Sequence, residues 1–277
     1  MPPSAGVGFK AVHFQDALAS PAAGLWFEIH AENYMLPGGP RLAMLEELRA
    51  ARPLSLHAVG LSLAGAARPE PSHLAEFKRL VDRFEPFLVS EHLAWSRIDG
   101  TCFPDLLPFP RTTEALACIA RNIDIVQQAL GRRILIENPA HYMAIDGHQW
   151  FEVDFLTELV RRTGCGLLVD VNNVMVSAFN LGFDPRAWLA RVPAGAVGEV
   201  HLAGYTPDPE IRMLVDSHGA PVAARVWSLF ADLVARIGPR PTLIERDGDI
   251  PPFTELMAER ARAARLLNSR HLEEAHV

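Results

Sequence analysis

Apolar residues along this chain fall into short runs, separated by longer stretches in which they recur every three or four positions. Short runs read as buried strands and the longer stretches as amphipathic helices, so their alternation predicts repeated βα units around a parallel sheet. Eight strands are predicted, near Val7–Lys10, Leu25–His30, Leu54–Ala58, Phe87–Glu91, Arg133–Glu137, Gly166–Val171, Gly198–His201 and Thr242–Glu245. Helices are predicted over Arg41–Ala51, Ser72–Arg83, Thr112–Leu130, Glu152–Arg162, Asp184–Arg191, Pro221–Ile237 and Pro252–Leu267. Ser72 and Thr112 have N-cap chemistry, Pro221 and Pro252 suit first-turn positions, and Gly131, Gly164 and Gly238 suit C-caps. The link between the first two strands is the weakest, because His13 to Ser20 has room for only about two helical turns. Trp95 to Arg111, rich in Pro and aromatics, reads as an ordered loop over a site. The expected fold is α/β, a single (β/α)8 barrel of the triosephosphate-isomerase type over residues 1–277.

Composition agrees with that fold. A barrel of this type takes about 250 residues, and 49% hydrophobic with 21% charged residues supplies a sizeable core. The net charge of −7, without a basic block, excludes the electrostatic footprint of a nucleic-acid binder. The start, MPPSAGVGFK, lacks a secretory pattern, and no apolar run approaches the ~20 residues of a membrane span, so a cytoplasmic protein without membrane contact is expected. Cys102, Cys118 and Cys165 contain no C-x-x-C pair, which argues against both a disulfide framework and a thiolate metal site.

The chemically capable residues cluster at the C-terminal ends of the predicted strands, the face where barrel enzymes build their sites. The second strand ends in Glu28, His30, Glu32 and Asn33, the third in His57, the fourth in Glu91 and His92, and the fifth in Glu137 and Asn138. The sixth ends in Asp170, Asn172 and Asn173, and the seventh in His201, with Asp216 and His218 in the loop beyond. The eighth ends in Glu245, followed by Asp247. Several carboxylates buried at one mouth would repel one another and lose hydration, so a multivalent cation is needed among them. Imidazole with carboxylate and no thiolate suits iron, manganese or zinc. His57, His92, Glu137, Asp170, His201, Asp216, His218 and Glu245 are the metal-ligand candidates, and Asn173 a weaker one. Glu28 and Glu32 read equally well as structural, paired with Lys10 or an Arg, or as substrate-contacting, and His30 as an orienting or structural residue. His13, His73, His141, His148, His271 and His276 are expected to face solvent.

At these same positions the sequence resembles the multinuclear non-heme iron-dependent oxidases, a family that includes the methanobactin biosynthesis oxidase. The segments that carry the resemblance are WFEIHAENYM, LSLHAVGLSL, VSEHLAWS, LIENPAHY, LLVDVNNVMVSAFNLGFDP, VHLAGY, DSHG and LIERDGDIPP, spanning Trp26 to Pro252. The resemblance implies a xylose-isomerase-like barrel with two or three iron ions in mixed Fe(II)/Fe(III) valence. It also implies that O2 serves as co-substrate to oxidise a cysteine or another residue of a ribosomally synthesised precursor peptide. The ligands it implies are His57, His92, Glu137, Asp170, Asn173, His201, Asp216, His218 and Glu245, with Asp247 in an acid–base role. A small leader-binding partner protein is a further implied partner. The sequence departs from the family at Arg246, where an aromatic residue is expected, which bears on substrate contacts nearby.

Two other readings stay open at this point. A divalent-metal sugar isomerase or hydrolase could use the same barrel, although the number of imidazoles exceeds what a hard-cation site needs. A metal-binding partner protein without turnover is the other.

Overall fold

In the computed structural model of the chain, residues 3–98 and 101–274 are described. Eight parallel strands close into a barrel: β1 (Ala5–Gly8), β2 (Phe27–His30), β3 (Leu54–Ala58) and β4 (Leu88–His92) are followed, after a hairpin of β5 (Trp95–Ile98) and β6 (Thr101–Leu107), by β7 (Leu135–Glu137), β8 (Gly166–Asp170) and β9 (Val197–Leu202). A second hairpin, β10 (Thr206–Asp208) and β11 (Met213–Val215), precedes β12 (Thr242–Ile244), which pairs with β1 and closes the ring. Around it run α1 (Phe14–Ala19), α2 (Pro40–Ala51), α3 (Pro71–Phe84), α4 (Thr113–Leu130), α5 (Glu152–Thr163), α6 (Val171–Leu181), α7 (Pro185–Arg191), α8 (Ala224–Ile237) and α9 (Phe253–Glu274). All eight barrel strands coincide with the predicted apolar runs to within a few residues, and the predicted (β/α)8 barrel is the observed fold.

Alternation sorts the strand residues. On β3, Leu54 and Leu56 belong to the apolar core, whereas Ser55 and His57 reach across to Glu28 and Ser90. Contacts between strands that are not sheet neighbours show which way the polar residues face. His201 on β9 lies 3.2 Å from Glu28 on β2, although β12 and β1 separate those strands in the sheet. The upper interior of the barrel is therefore polar, where such barrels usually stack branched apolar side chains.

Caps explain most helix boundaries. Thr112 accepts from the Ala115 N–H as expected, and Gly131 and Gly164 close α4 and α5 in the left-handed conformation. Ser72 is not the cap of α3; Glu70 is, its carboxylate accepting from the Ser72 and His73 N–H groups with Pro71 in the first turn. Pro221 and Pro252 both precede their helices, which begin at Ala224 and Phe253, and Gly238 is extended rather than left-handed in ψ. Between β1 and β2 a single 3-10 turn and the six-residue α1 fill the short link.

Three elements differ from expectation. The described part of the Trp95–Arg111 segment forms the β5–β6 hairpin rather than a loop, with the Trp95 indole N–H donating to the Pro108 carbonyl at 2.7 Å. The β10–β11 hairpin is new. So is α6, because VNNVMVSAFNL is buried on nearly every side and so lacks the one-faced period by which a helix is recognised.

Three histidines expected in solvent are engaged instead. His13 is buried, with Nε2 2.9 Å from the Pro251 carbonyl; His73 lies 3.3 Å from Glu32; His141 lies 2.6 Å from Glu152. Each joins neighbouring loops at the mouth, where the loop backbone leaves polar groups to satisfy. His148 is exposed, as expected, and accepts from the Arg111 N–H. The expectations for His271 and His276 fall outside the described side chains.

Gly204, just past β9, packs so closely that a Cβ there would sit 2.0 Å from the Ala220 carbonyl oxygen, a backbone atom that cannot swing aside. Gly204→Ala is expected to cost about 1–3 kcal/mol in chemical denaturation, as overpacking does, and to loosen the loop that carries His218. An unchanged midpoint would contradict this packing.

Candidate metal centre

The residues that gather at the mouth arrive from seven strands and one long loop. His57, His92 and Glu137 come from the ends of β3, β4 and β7, with their donor atoms within 4.8 Å of one another. A second group, Asp170, His218 and Glu245, meets the same criterion, and Glu137, Asp170 and His201 form a third that joins the two. His30, Glu245 and Asp247 make a fourth at the outer edge.

Fixed partners orient these side chains. Asp170 ends β8 and caps α6, accepting from the Asn173 N–H through Oδ1 at 2.6 Å, which leaves Oδ2 buried without a partner. Its backbone is held on both sides by the Asn138 carboxamide at 3.0 Å. Asn173, in the first turn of α6, places its Nδ2 3.1 Å from the Asn138 carbonyl and leaves Oδ1 buried and unpartnered. Asn172 donates to Asp216 at 2.6 Å. His218 lies between Asp216 on Nε2 (2.8 Å) and Asp247 on Nδ1 (3.1 Å), with its backbone at φ 47°, a costly conformation for a non-glycine residue.

Each imidazole shows one nitrogen to a fixing partner or to the shared polar space. His57 Nδ1 is 2.8 Å from the Ser90 hydroxyl, while its Nε2 faces Glu137 at 3.3 Å. His201 Nε2 faces Glu28, itself held by the Ser55 hydroxyl at 2.8 Å, and Nδ1 faces Glu245 at 3.2 Å. His92 Nδ1 lies 3.1 Å from Glu137.

The approaches of His92 and His201 to carboxylates are close but not aligned as hydrogen bonds. His92 Nδ1, both nitrogens of His201, His218 Nε2, Glu137 Oε2 and Asp170 Oδ2 are buried with no hydrogen-bond partner. Lone pairs that crowd within 4 Å of each other without bonding are what ligands aimed at a common ion leave when they are described alone. The donor set of imidazole, carboxylate and carboxamide oxygen, without thiolate, fits iron, manganese or zinc.

Electrostatics points the same way. Burial pushes the Glu137 carboxyl well above its usual range, and burial together with Asp216 raises Asp170 to about 7. Burial, then neighbouring imidazoles, drives His57 far down and holds His92 at about 3. Burial opposes the charged forms of Glu245 and His218 as well, but their mutual attraction together with His201 and His30 around the one, and Asp216 and Asp247 around the other, outweighs it, lowering Glu245 and raising His218. Metal-free, the site thus favours protons on Glu137, Asp170, His201 and His218, where ligation requires them removed, while His57 and His92 are already in the neutral form that binds a metal; a cation would displace the former protons.

All ten sequence-predicted residues meet at this mouth: His57, His92, Glu137, Asp170, Asn173, His201, Asp216, His218, Glu245 and Asp247. Glu199 was not foreseen. It is fully buried on β9, with Oε1 3.8 Å from His201 Nε2, both oxygens unpartnered, and burial beside Glu28 raises it to about 8. The signal was its position two residues before His201, on the same strand face. Arg246 turns away from the mouth; it is 5% exposed and pairs with Glu259 of α9 at 3.1 Å, so it supports the helix rather than meeting substrate.

The pH dependence follows from these shifts. Raised carboxylates such as Asp170, Glu137 and Glu199 stabilise the fold below their unfolded pKa and lose that contribution as pH rises through the folded value; raised His201 and His218 behave likewise. Between pH 7 and about 9 these contributions share one sign, whereas the depressed His57, His92 and Glu245 have already reached their high-pH form. Metal-free protein is expected to lose thermal stability across that interval, and metal-loaded protein to be far less sensitive, as scanning calorimetry would show. Equal pH profiles for the two forms would contradict the assignment.

Comparison with known proteins places the chain. The sequence profile of the family described as "RiPP precursor modification enzyme MbnB/TglH/ChrH" matches residues 4–268. A UPF0276 protein of Caulobacter vibrioides is 62% identical over 280 residues, covering 100% of both chains, and one of Bordetella parapertussis is 50% identical over 270 residues, covering 96% of this chain and 93% of its own. Among solved structures, a D-tagatose 3-epimerase-like protein superimposes with a TM-score of 0.61 at 14% identity (96% of this chain, 99% of that one). Endonuclease IV from Thermus thermophilus does so with 0.58 at 19% identity (97% and 100%). At such identities these structures share the xylose-isomerase-like barrel and nothing more is carried over from them. The family match spans nearly the whole chain and includes every strand of the mouth, so this chain belongs to the RiPP precursor modification enzymes of the MbnB/TglH/ChrH family.

Proposed function

We propose that the chain is an iron-dependent oxidase that uses O2 to modify a cysteine, or another residue, of a ribosomally synthesised precursor peptide. The observation that supports this most is the set of buried, unpartnered imidazole and carboxylate atoms from separate strands, aimed into one space. One ion would be held by His57, His92 and Glu137, and a second by Asp170, His218 and Glu245, with His201 and Glu137 between them and Asp216 and Asn173 beside them. Iron bound there would supply thiolate ligation and the one-electron chemistry with O2 that a metal-free protein lacks.

The chain itself does the positioning. A cavity of about 310 Å³ opens beside Glu245 and Asp247 and is lined by Lys10, His30, Tyr34 and Arg41, which gives a peptide side chain a path to the mouth. Asp247 lies at its edge, where a peptide backbone would pass. Burial disfavours its charge, but the His218 hydrogen bond with His30 and Lys10 holds its pKa below the usual carboxylate value, so it is ionised at neutral pH, the form that an acid–base role toward a backbone amide starts from. Ser90 fixes the ring of His57, as the outer partner of a metal-bound histidine does. A small partner protein that presents the precursor's leader completes the proposal.

Two experiments test it. Protein purified without O2, loaded with Fe(II) and mixed with a co-expressed cysteine-containing precursor encoded beside it is expected to consume O2 and change the peptide's mass; full iron loading with an unchanged mass would contradict the oxidase reading. Ser90→Ala, which removes only the partner of His57 Nδ1, is expected to weaken iron binding about tenfold or more in a chelator competition; unchanged affinity would take His57 out of the ligand set.

A further inference from the structure

We infer that the Lys10 ammonium is the resident cation of the outer group, His30, Glu245 and Asp247, and that it closes this group to a third metal ion. The inference rests on the metal centre proposed above and concerns how many ions it holds.

The outer group has the composition of a metal site, one imidazole and two carboxylates with donor atoms within 4.8 Å. Its members are nevertheless engaged differently from those deeper in the mouth. Glu137 and Asp170 each keep a buried oxygen with no partner, whereas both oxygens of Asp247 are taken. Oδ1 accepts from Lys10 Nζ at 2.5 Å, and Oδ2 is 3.1 Å from His218 Nδ1. His30 Nε2 is paired with Glu245 Oε1 at 3.3 Å. None of these atoms is among the orphaned ones.

The sequence sets this up locally. Lys10 directly precedes the 3-10 turn Ala11–His13 and has extended backbone, φ −122° and ψ 132°, two residues beyond the end of β1. That strand pairs with β12 along Ala5 to Val7, so their continuations bring Lys10 beside Asp247. A divalent ion entering the group would have to displace an ammonium from its shortest carboxylate contact, or remain beside it and be repelled in a half-buried setting where the repulsion is weakly screened. A tethered monovalent charge neutralises Asp247 without any ion from solution. The two deeper groups contain no Lys or Arg contact to their ligand oxygens among the described residues, so only the outer one is closed in this way.

The test is a metal count. Wild type, Lys10→Met and Lys10→Arg, each confirmed folded by circular dichroism, are loaded anaerobically with Fe(II), desalted, and measured by inductively coupled plasma mass spectrometry. Wild type and Lys10→Arg are expected to retain about two ions per chain and Lys10→Met about three. Crystals of Lys10→Met soaked with Mn(II) should show the additional anomalous peak between His30, Glu245 and Asp247. Three ions in wild type, or no gain in Lys10→Met, would overturn the inference and leave the oxidase reading standing. No retained metal in any of the three proteins would overturn both. Should Lys10→Met fail to fold, Lys10→Gln replaces it with the same expectation.

Discussion

The repulsion among carboxylates gathered in a buried space is the constraint on which the rest of this structure depends. Glu28, Glu137, Asp170, Glu199 and Glu245 are all buried in the barrel's upper interior. A site of this kind cannot hold all of its charges unless cations share the space, and the chain itself meets part of the requirement in two ways. Imidazolium forms of His201 and His218 neutralise Glu28, Glu245 and Asp216 where they touch. Lys10 neutralises Asp247 at the rim. What remains, the unpartnered oxygens of Glu137 and Asp170 facing unpartnered imidazole nitrogens, is the part that protons serve poorly and a metal ion would serve well.

The scaffold supports this unstable arrangement by fixing it from outside. A barrel strand presents alternate residues to the interior, so each ligand candidate occupies a position set by backbone hydrogen bonding rather than by a mobile loop. Asp170 shows how far this goes, since one carboxylate both caps α6 and turns its second oxygen into the site. His218 and Asp216 are the exceptions, carried on a loop. That loop is pinned by the close approach at Gly204, by the Asp247 N–H donating to the His218 carbonyl, and by the Asn172 contact with Asp216.

Much of this was readable in the sequence because strand ends are easy to recognise and the chemistry sits on them. His57, His92, Glu137 and His201 each close an apolar run, and Asp170 closes a run that is buried from end to end. Glu199 escaped notice because it lies a layer deeper, inside a run that reads as ordinary strand. Lys10 was readable as a possible partner of Glu28 or Glu32, but it pairs with Asp247, 237 residues away. α6 is buried on nearly every side and so presents no solvent face to betray it, and the β10–β11 hairpin has three-residue strands, too short for alternation to register. Arg246, whose departure from the family's aromatic put nearby substrate contacts in doubt, faces outward, as its neighbours Glu245 and Asp247 on the inner face require.

The central claim, that these side chains converge because metal ions belong among them, is tested most directly by anomalous diffraction at the iron edge from crystals of the anaerobically loaded protein. The account requires one peak bounded by His57, His92 and Glu137 and another bounded by Asp170, His218 and Glu245. Iron found on the outer surface alone, or a mouth in which ordered water satisfies every one of those atoms, would contradict it.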